Sequence, residues 1–230
     1  MLDKRSEAMN GVERRAAFGL ALVFAFRMLG MFMVLPVLAT YGQELADATP
    51  ALIGLAIGAY GLTQAVLQIP LGTLSDRIGR RPIIIGGLLV FALGAAIAAN
   101  AHSIWGVIAG RVVQGGGAIS AAIMALLSDQ TREQHRTKAM ATIGMSIGVS
   151  FAVAMVAGPL LTRAYGLAGL FWATCGLALV GLLIVLFLVP HQASPFAHRE
   201  SNLARQALGA TLRNRDLLRL DFGILALHAV

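Results

Sequence analysis

Charge is what this chain has least of. Only 13% of its 230 residues are Asp, Glu, Lys or Arg, while 57% are hydrophobic; a typical soluble domain carries about 25% charged residues. A water-soluble globule needs polar side chains to cover its surface. The shortage therefore excludes a soluble enzyme, a disordered chain and a nucleic-acid-binding module, in spite of a formal net charge of +7. Cysteine is scarce too: Cys175 stands alone, which excludes an intramolecular disulfide framework. The five histidines, at 102, 135, 191, 198 and 228, show no metal-ligand spacing. No Ser-His-Asp set or paired-carboxylate arrangement accompanies them, so neither enzyme activity nor a cofactor is expected.

The missing charges are missing in blocks. Residues 16–43 hold one charge, Arg27; residues 48–75, 82–110, 112–128, 139–162 and 164–198 hold none. A helix needs about 20 apolar residues to cross the hydrocarbon core, and solid runs rather than alternation point to helices instead of a barrel. Six spans are expected, near 16–40, 51–74, 83–101, 104–128, 139–161 and 168–190, with a tight turn at Asn100-Ala101-His102-Ser103 between the third and fourth. The first run is too long for a cleavable signal peptide and lacks a small-x-small site before Glu44. A seventh hydrophobic stretch, 217–230, includes Asp221 and is too short to span. It reads as the start of a further, truncated helix in a longer protein.

The basic residues set the orientation. Fifteen of the eighteen fall in the tail 1–15, in the second-to-third and fourth-to-fifth connections, and after the sixth span. The opposite connections hold only Arg163, while Arg27 and Arg111 lie inside spans. The N-terminus is thus expected on the cytoplasmic side of the membrane, and the basic balance reflects topology and anionic lipid rather than nucleic acid. Residues 191–216 read as a basic cytoplasmic linker.

One connection is dense in turn and charge chemistry: Gly72-Thr-Leu-Ser-Asp76-Arg77-Ile-Gly79-Arg80-Arg81-Pro82. Gly72 lets a helix end approach a neighbour, Gly79 suits a left-handed or tight turn, and Pro82 fits the first turn of the next helix. Asp76 lies within pairing reach of guanidinium groups. This stretch resembles the signature loop of the major facilitator superfamily, G-x-L-[AS]-D-R-x-G-R-[RK]-P. Arg111-Val-Val-Gln114-Gly115-Gly116-Gly117-Ala118 is similar to a second motif of that superfamily, and its glycines suit close helix packing. A weaker likeness, Gly144-x3-Gly148 and Gly158-Pro159, points to the antiporter motif, although Leu160 and Leu161 replace its trailing glycines. Arg27-Met-Leu-Gly-Met-Phe-Met-Val-Leu-Pro36 and Leu126-Leu-Ser-Asp129-Gln-Thr-Arg132-Glu133 resemble the YajR-type, proton-coupled branch.

The resemblance implies an all-α membrane protein: a six-helix bundle of two three-helix repeats, the N-terminal half of a twelve-helix fold whose C-terminal half is its partner. It also implies that Asp76, Arg80 and Asp129 form a network locking one conformation. Arg27 and Arg111 are costly in lipid and need a partner or a water-filled cavity. They are expected to face the central cavity, with structural arginines bonded to backbone carbonyls as the competing reading. Tyr60, Gln64 and Gln68 share a helix face four residues apart, beside Thr63; they serve either substrate or interhelical hydrogen bonding. No carboxylate lies deep in a span, so Asp76 and Asp129 at the cytoplasmic edge are the candidates for proton-linked gating. The expected function is secondary active transport: alternating access exporting a small molecule against protons. The alternative is a non-transporting membrane or interaction protein, or an inactive half-transporter.

Overall fold

The computed structural model describes residues 9–190. The linker expected at 191–216, the helix start at 217–230 and the first eight residues of the tail lie outside the described residues. Among those described, helices joined by short turns make up the structure, with one isolated bridge, Ala46 to Ser103.

Helix α1 (Gly11–Tyr41) opens on a capping box, in which Asn10 Oδ1 accepts the Glu13 N–H and the Glu13 carboxylate accepts the Asn10 N–H, both at 2.8 Å. Helix α2 (Pro50–Ile78) starts with Thr49 Oγ1 accepting the Leu52 N–H at 3.2 Å and with proline in its first turn. Helices α3 (Arg80–Ala99), α4 (Ile104–Gly116), α5 (Ser120–Asp129) and α6 (Glu133–Phe187) follow. The expected turn at Asn100 is present, and the Ile104 N–H donates to the Ala46 carbonyl at 3.1 Å, tying it to the α1–α2 connection.

Five helical stretches are long and apolar enough to cross a membrane. The fifth, α6, would measure about 80 Å if straight, more than twice the hydrocarbon thickness. It breaks at Gly166, where φ 68° and ψ −175° are non-helical. The two arms lie against α1 in opposite directions. In the first arm Ser150 Oγ donates to the Ala25 carbonyl at 3.0 Å and Gly158 abuts Met33, so the numbers rise together. In the second arm Thr174 abuts Gly30 and Leu188 and Val189 abut Gly19, so they run in opposition. The chain therefore reverses at Gly166, and the fifth and sixth expected spans are these two arms.

Two boundaries differ from expectation. The fourth span is not one helix, because Gly117 (φ −77°, ψ 42°) interrupts it between α4 and α5. The signature stretch is not a loop either. Gly72 to Ile78 form the last turns of α2, Arg80 begins α3, and Gly79 alone joins them with φ 102°. Only glycine adopts that conformation without a Cβ penalty, which makes a one-residue connection feasible.

Two apolar clusters stand at the two ends of the bundle. One gathers Leu20, Ile84, Leu88, Ile123, Leu127 and Ile143; the other gathers Met33, Val37, Leu38, Ile104, Leu170 and Phe171. Between them lie Tyr60, Phe91, Ala95 and Cys175. The outward faces stay apolar, with Leu62, Val66 and Ile69 on α2 and Val149, Val156 and Leu160 on α6 exposed. In lipid such a surface costs nothing, because hydrocarbon is as apolar as the side chains.

Candidate functional site

Two constellations carry polar chemistry. The first sits where α2, α3 and α5 end or begin. Arg80 Nε donates to Asp129 Oδ2 at 2.8 Å, while Nη1 donates to Asp76 Oδ1 and, at 3.2 Å, to Ser75 Oγ. Ser75 Oγ in turn donates a hydrogen bond to the Gly72 carbonyl at 2.6 Å. The two carboxylates are 40% exposed and Arg80 is 23% exposed.

Each member opposes its own helix. Asp76 is in the last turn of α2, Asp129 is the last residue of α5, and Arg80 is the first residue of α3. Helix C-termini carry partial negative charge and N-termini partial positive charge, and a misplaced charge costs about 0.3–1 kcal/mol. The three charges are favourable only together. Half-exposed pairs of this kind contribute modestly, so the cluster is poised near balance rather than locked deep in a well.

The neighbouring arginines have other tasks. Arg81 Nη2 donates to the Val185 and Leu186 carbonyls at 2.9 and 2.8 Å, and Arg15 Nη2 donates to the Phe187 carbonyl at 3.1 Å. Both serve as C-terminal caps of α6. Arg77 is exposed. Arg132 meets Glu13 of α1 through Nε, 2.8 Å from Oε1. That hydrogen bond, with the carboxylate charge behind it, holds the Arg132 guanidinium above its ordinary range.

The second constellation is buried. Arg27 is 1% exposed, and its Nη2 donates to Gln64 Oε1 at 2.9 Å and to the Gly117 carbonyl at 3.1 Å. Its Nη1 reaches Ser120 Oγ at 3.3 Å, and its guanidinium lies 5.6 Å from the Phe91 ring centre. Arg111 is wholly buried, with Nε donating to the Ala56 carbonyl at 3.3 Å and Nη1 to Gln114 Oε1 at 3.1 Å. The Tyr60 ring lies 4.5 Å from its guanidinium carbon. Both cations thus rest on neutral acceptors and aromatic faces.

Among the described residues both point into the packing between helices, and each donates to a backbone carbonyl. The reason is local. Arg27 satisfies the carbonyl freed where Gly117 breaks the fourth span, and Arg111 reaches across to α2, which runs alongside α4. Tyr60 and Gln64 do turn inward with Thr63 beside them, and Gln68 keeps a buried Oε1 without a partner among the described residues. Tyr60 is buried, and Gln64 and Gln68 are half-buried.

The motif glycines divide. A Cβ on Gly115 would collide with the Tyr60 carbonyl and stand 2.8 Å from Thr63 Cβ; one on Gly117 would collide with the Gly87 carbonyl. A Cβ on Gly158 would stand 2.9 Å from the Met33 carbonyl oxygen. These three are close-packing positions, and Pro159 follows within the first arm of α6. Gly72 has only ordinary contact, with Ala121 at 3.6 Å. Nothing among the described residues lies within 4 Å of a would-be Cβ on Gly148. The turn of α6 carrying Gly148 presents the exposed Met145 and Val149.

Sequence reasoning missed Ser75, Ser120, Phe91, Arg15 and Glu13. Only Glu13 left a local trace, in its spacing from Asn10; its partner Arg132 lies 119 residues away.

Comparison with known proteins agrees with this architecture. Residues 20–229 match the Major Facilitator Superfamily. The chain is 58% identical over 216 residues to the inner membrane transport protein YajR of Escherichia coli (strain K12), covering 94% of this chain and 48% of that protein. It is 41% identical to an uncharacterized transporter of Buchnera aphidicola subsp. Acyrthosiphon pisum, covering 96% and 57%. The chain therefore spans about half the length of the curated relatives it matches. Among solved structures, the human organic anion transporter MFSD10 superposes with a TM-score of 0.66 at 21% identity, over 79% of this chain and 48% of that one. The fold is shared at that distance, and the match over most of the sequence makes this chain a member of the Major Facilitator Superfamily of membrane transporters.

Proposed function

We propose that this chain forms the N-terminal half of a secondary active transporter that exports a small molecule by alternating access, coupled to protons. The N-terminus, the tail 1–15 and the linker 191–216 are cytoplasmic in this reading. The six-helix domain is 16–190, and a further span begins at 217–230. The observation that carries it is Arg80 joining Asp76 and Asp129. Three charges on three helix ends, each unfavourable alone, form a contact that a second half or a proton can tip. Neutralising one carboxylate removes an attraction of order 1 kcal/mol, a several-fold change in a two-state population.

The motif stretch from Gly72 to Arg81, with Asp129, carries the switch: Asp76, Arg80 and Asp129 supply its charges, and Arg81 ties the stretch to the end of α6. Gln64, half-buried and bonded to Arg27, is the side chain through which an anionic or polar substrate group engages that guanidinium. Tyr60, Gln68 and Gln114 extend the polar path, and Arg111 supports the packing of α4 on α2. Gly158-Pro159 on the first arm of α6 supports export over import.

The test uses the full-length protein in proteoliposomes, with a panel of compounds under an imposed pH gradient. Asp76→Asn is expected to lower transport at least several-fold, without loss of protein from the membrane. Wild-type transport by Asp76→Asn refutes the switch; pH-independent transport by the wild type refutes proton coupling.

A further inference from the structure

The turn between α5 and α6 has four consecutive side chains, each anchored to a different place. Asp129 accepts from Arg80 of α3 at 2.8 Å. Gln130 Nε2 donates to the Pro190 carbonyl, beyond the end of α6, at 3.0 Å. Thr131 Oγ1 turns back on the Leu127 carbonyl at 2.6 Å. Arg132 reaches the first turn of α1: its main-chain N–H and its Nε donate to Glu13 Oε1 at 2.9 and 2.8 Å, and Nη2 donates to Oε2 at 3.0 Å.

Glu13 also accepts the Asn10 N–H, so one carboxylate takes four hydrogen bonds while only 4% exposed. Asp129 is 40% exposed. The contrast matters. A deeply buried, fully bonded carboxylate is a rigid point, whereas an exposed ion pair holds little by itself. The backbone of the turn is not self-sufficient either: its bond from the Thr131 N–H to the Ser128 carbonyl is 3.4 Å long, and Arg132 caps α6 without a side-chain bond to it. Glu13 grips the main chain of the turn as well as a side chain, three residues after Asp129.

We propose that Glu13 is a positioning residue for the switch. Through Arg132 it fixes the α5–α6 turn in the arrangement that presents Asp129 to Arg80, so that the first turn of α1 belongs to the same mechanical unit as Asp76, Arg80 and Asp129. The importance of that unit for transport rests on the reading under Proposed function; the mechanical link itself does not.

The experiment is hydrogen–deuterium exchange of the full-length protein in nanodiscs, comparing wild type, Glu13→Gln, Asp129→Asn and the double variant. Losing one charge-assisted anchor is expected to raise exchange about tenfold. In Glu13→Gln the rise should appear in residues 129–133 and also in 75–81, which Glu13 does not touch. In the Asp129→Asn background, adding Glu13→Gln should accelerate 129–133 alone, because the link to Arg80 is already cut. Acceleration confined to residues 9–16 and 129–134 in both backgrounds makes Glu13 a local prop and overturns the proposal. Should Glu13→Gln fail to give a monodisperse protein, Arg132→Lys replaces it, keeping charge and main-chain bond but losing the guanidinium fork; an unchanged 75–81 segment then overturns the proposal. Spread to 75–81 together with wild-type transport by Asp76→Asn upholds the positioning while refuting the switch.

Discussion

Arg80 stands between Asp76 and Asp129, with its Nε 2.8 Å from Asp129 Oδ2 and its Nη1 bonded to Asp76. One guanidinium fork thus closes the ends of α2, α3 and α5 on each other. A point charge cannot reproduce this, because the two acceptors lie on different edges of a planar group.

Arg80→Lys is therefore expected to behave as a loss. In a double-mutant cycle on the thermal stability of the full-length protein, Arg80 and Asp129 should couple by about 1 kcal/mol at low salt and by less at high salt. Zero coupling at low salt would remove the energetic basis for the switch.

Arg27 and Gln64 should couple more strongly, since one partner is buried and charged. Removing Arg27 strands the Gly117 carbonyl, and such a group costs about 1–3 kcal/mol. Arg27→Met is expected to lower the unfolding midpoint accordingly, and Gln64→Leu in that background should cost less than alone. Strict additivity of the two would show that the bond carries no weight.

Gly115→Ala and Gly148→Ala should have opposite signs. At 115 the added methyl meets the Tyr60 carbonyl and Thr63, and overpacking costs about 1–3 kcal/mol. At 148 it meets open space inside a helix, where alanine gains roughly 0.5–1 kcal/mol over glycine. Thermal unfolding of each variant in one detergent decides the matter; equal destabilisation would contradict the packing described.

Gly166→Ala tests the reversal between the arms of α6. Space is free there, so the expected loss of about 1–3 kcal/mol comes from backbone conformation alone, in a region that is essentially glycine-only. Unchanged stability would mean that the break does not require its positive φ.

Much of this was readable in one dimension. Charge-free runs located the crossings because an ionised side chain in hydrocarbon is costly wherever it falls, and that rule needs no knowledge of neighbours. Asp76 was readable as lying close to several guanidinium groups along the chain, while Arg80 was singled out as its partner by resemblance. Asp129 was linked to them by resemblance alone; distance along the chain hides such contacts. The break at Gly117 went unseen, since a run of three glycines in an apolar stretch suits a continuous packed helix as well as an interrupted one. Which way Arg27 and Arg111 point was equally hidden. Each found its acceptors on another helix, Gly117 and Ala56, and no local pattern announces a carbonyl across an interface.

By itself the sequence determined that this chain belongs in a membrane and which charges lie outside its long apolar runs, because burial of charge is priced residue by residue. The tertiary structure decided what those charges do. It brought Arg80 onto two helix ends, Arg132 onto Glu13, and the membrane arginines into the packing rather than onto an open face. Those outcomes depend on which helix ends meet, and that follows from glycine-mediated close packing between elements far apart in the chain.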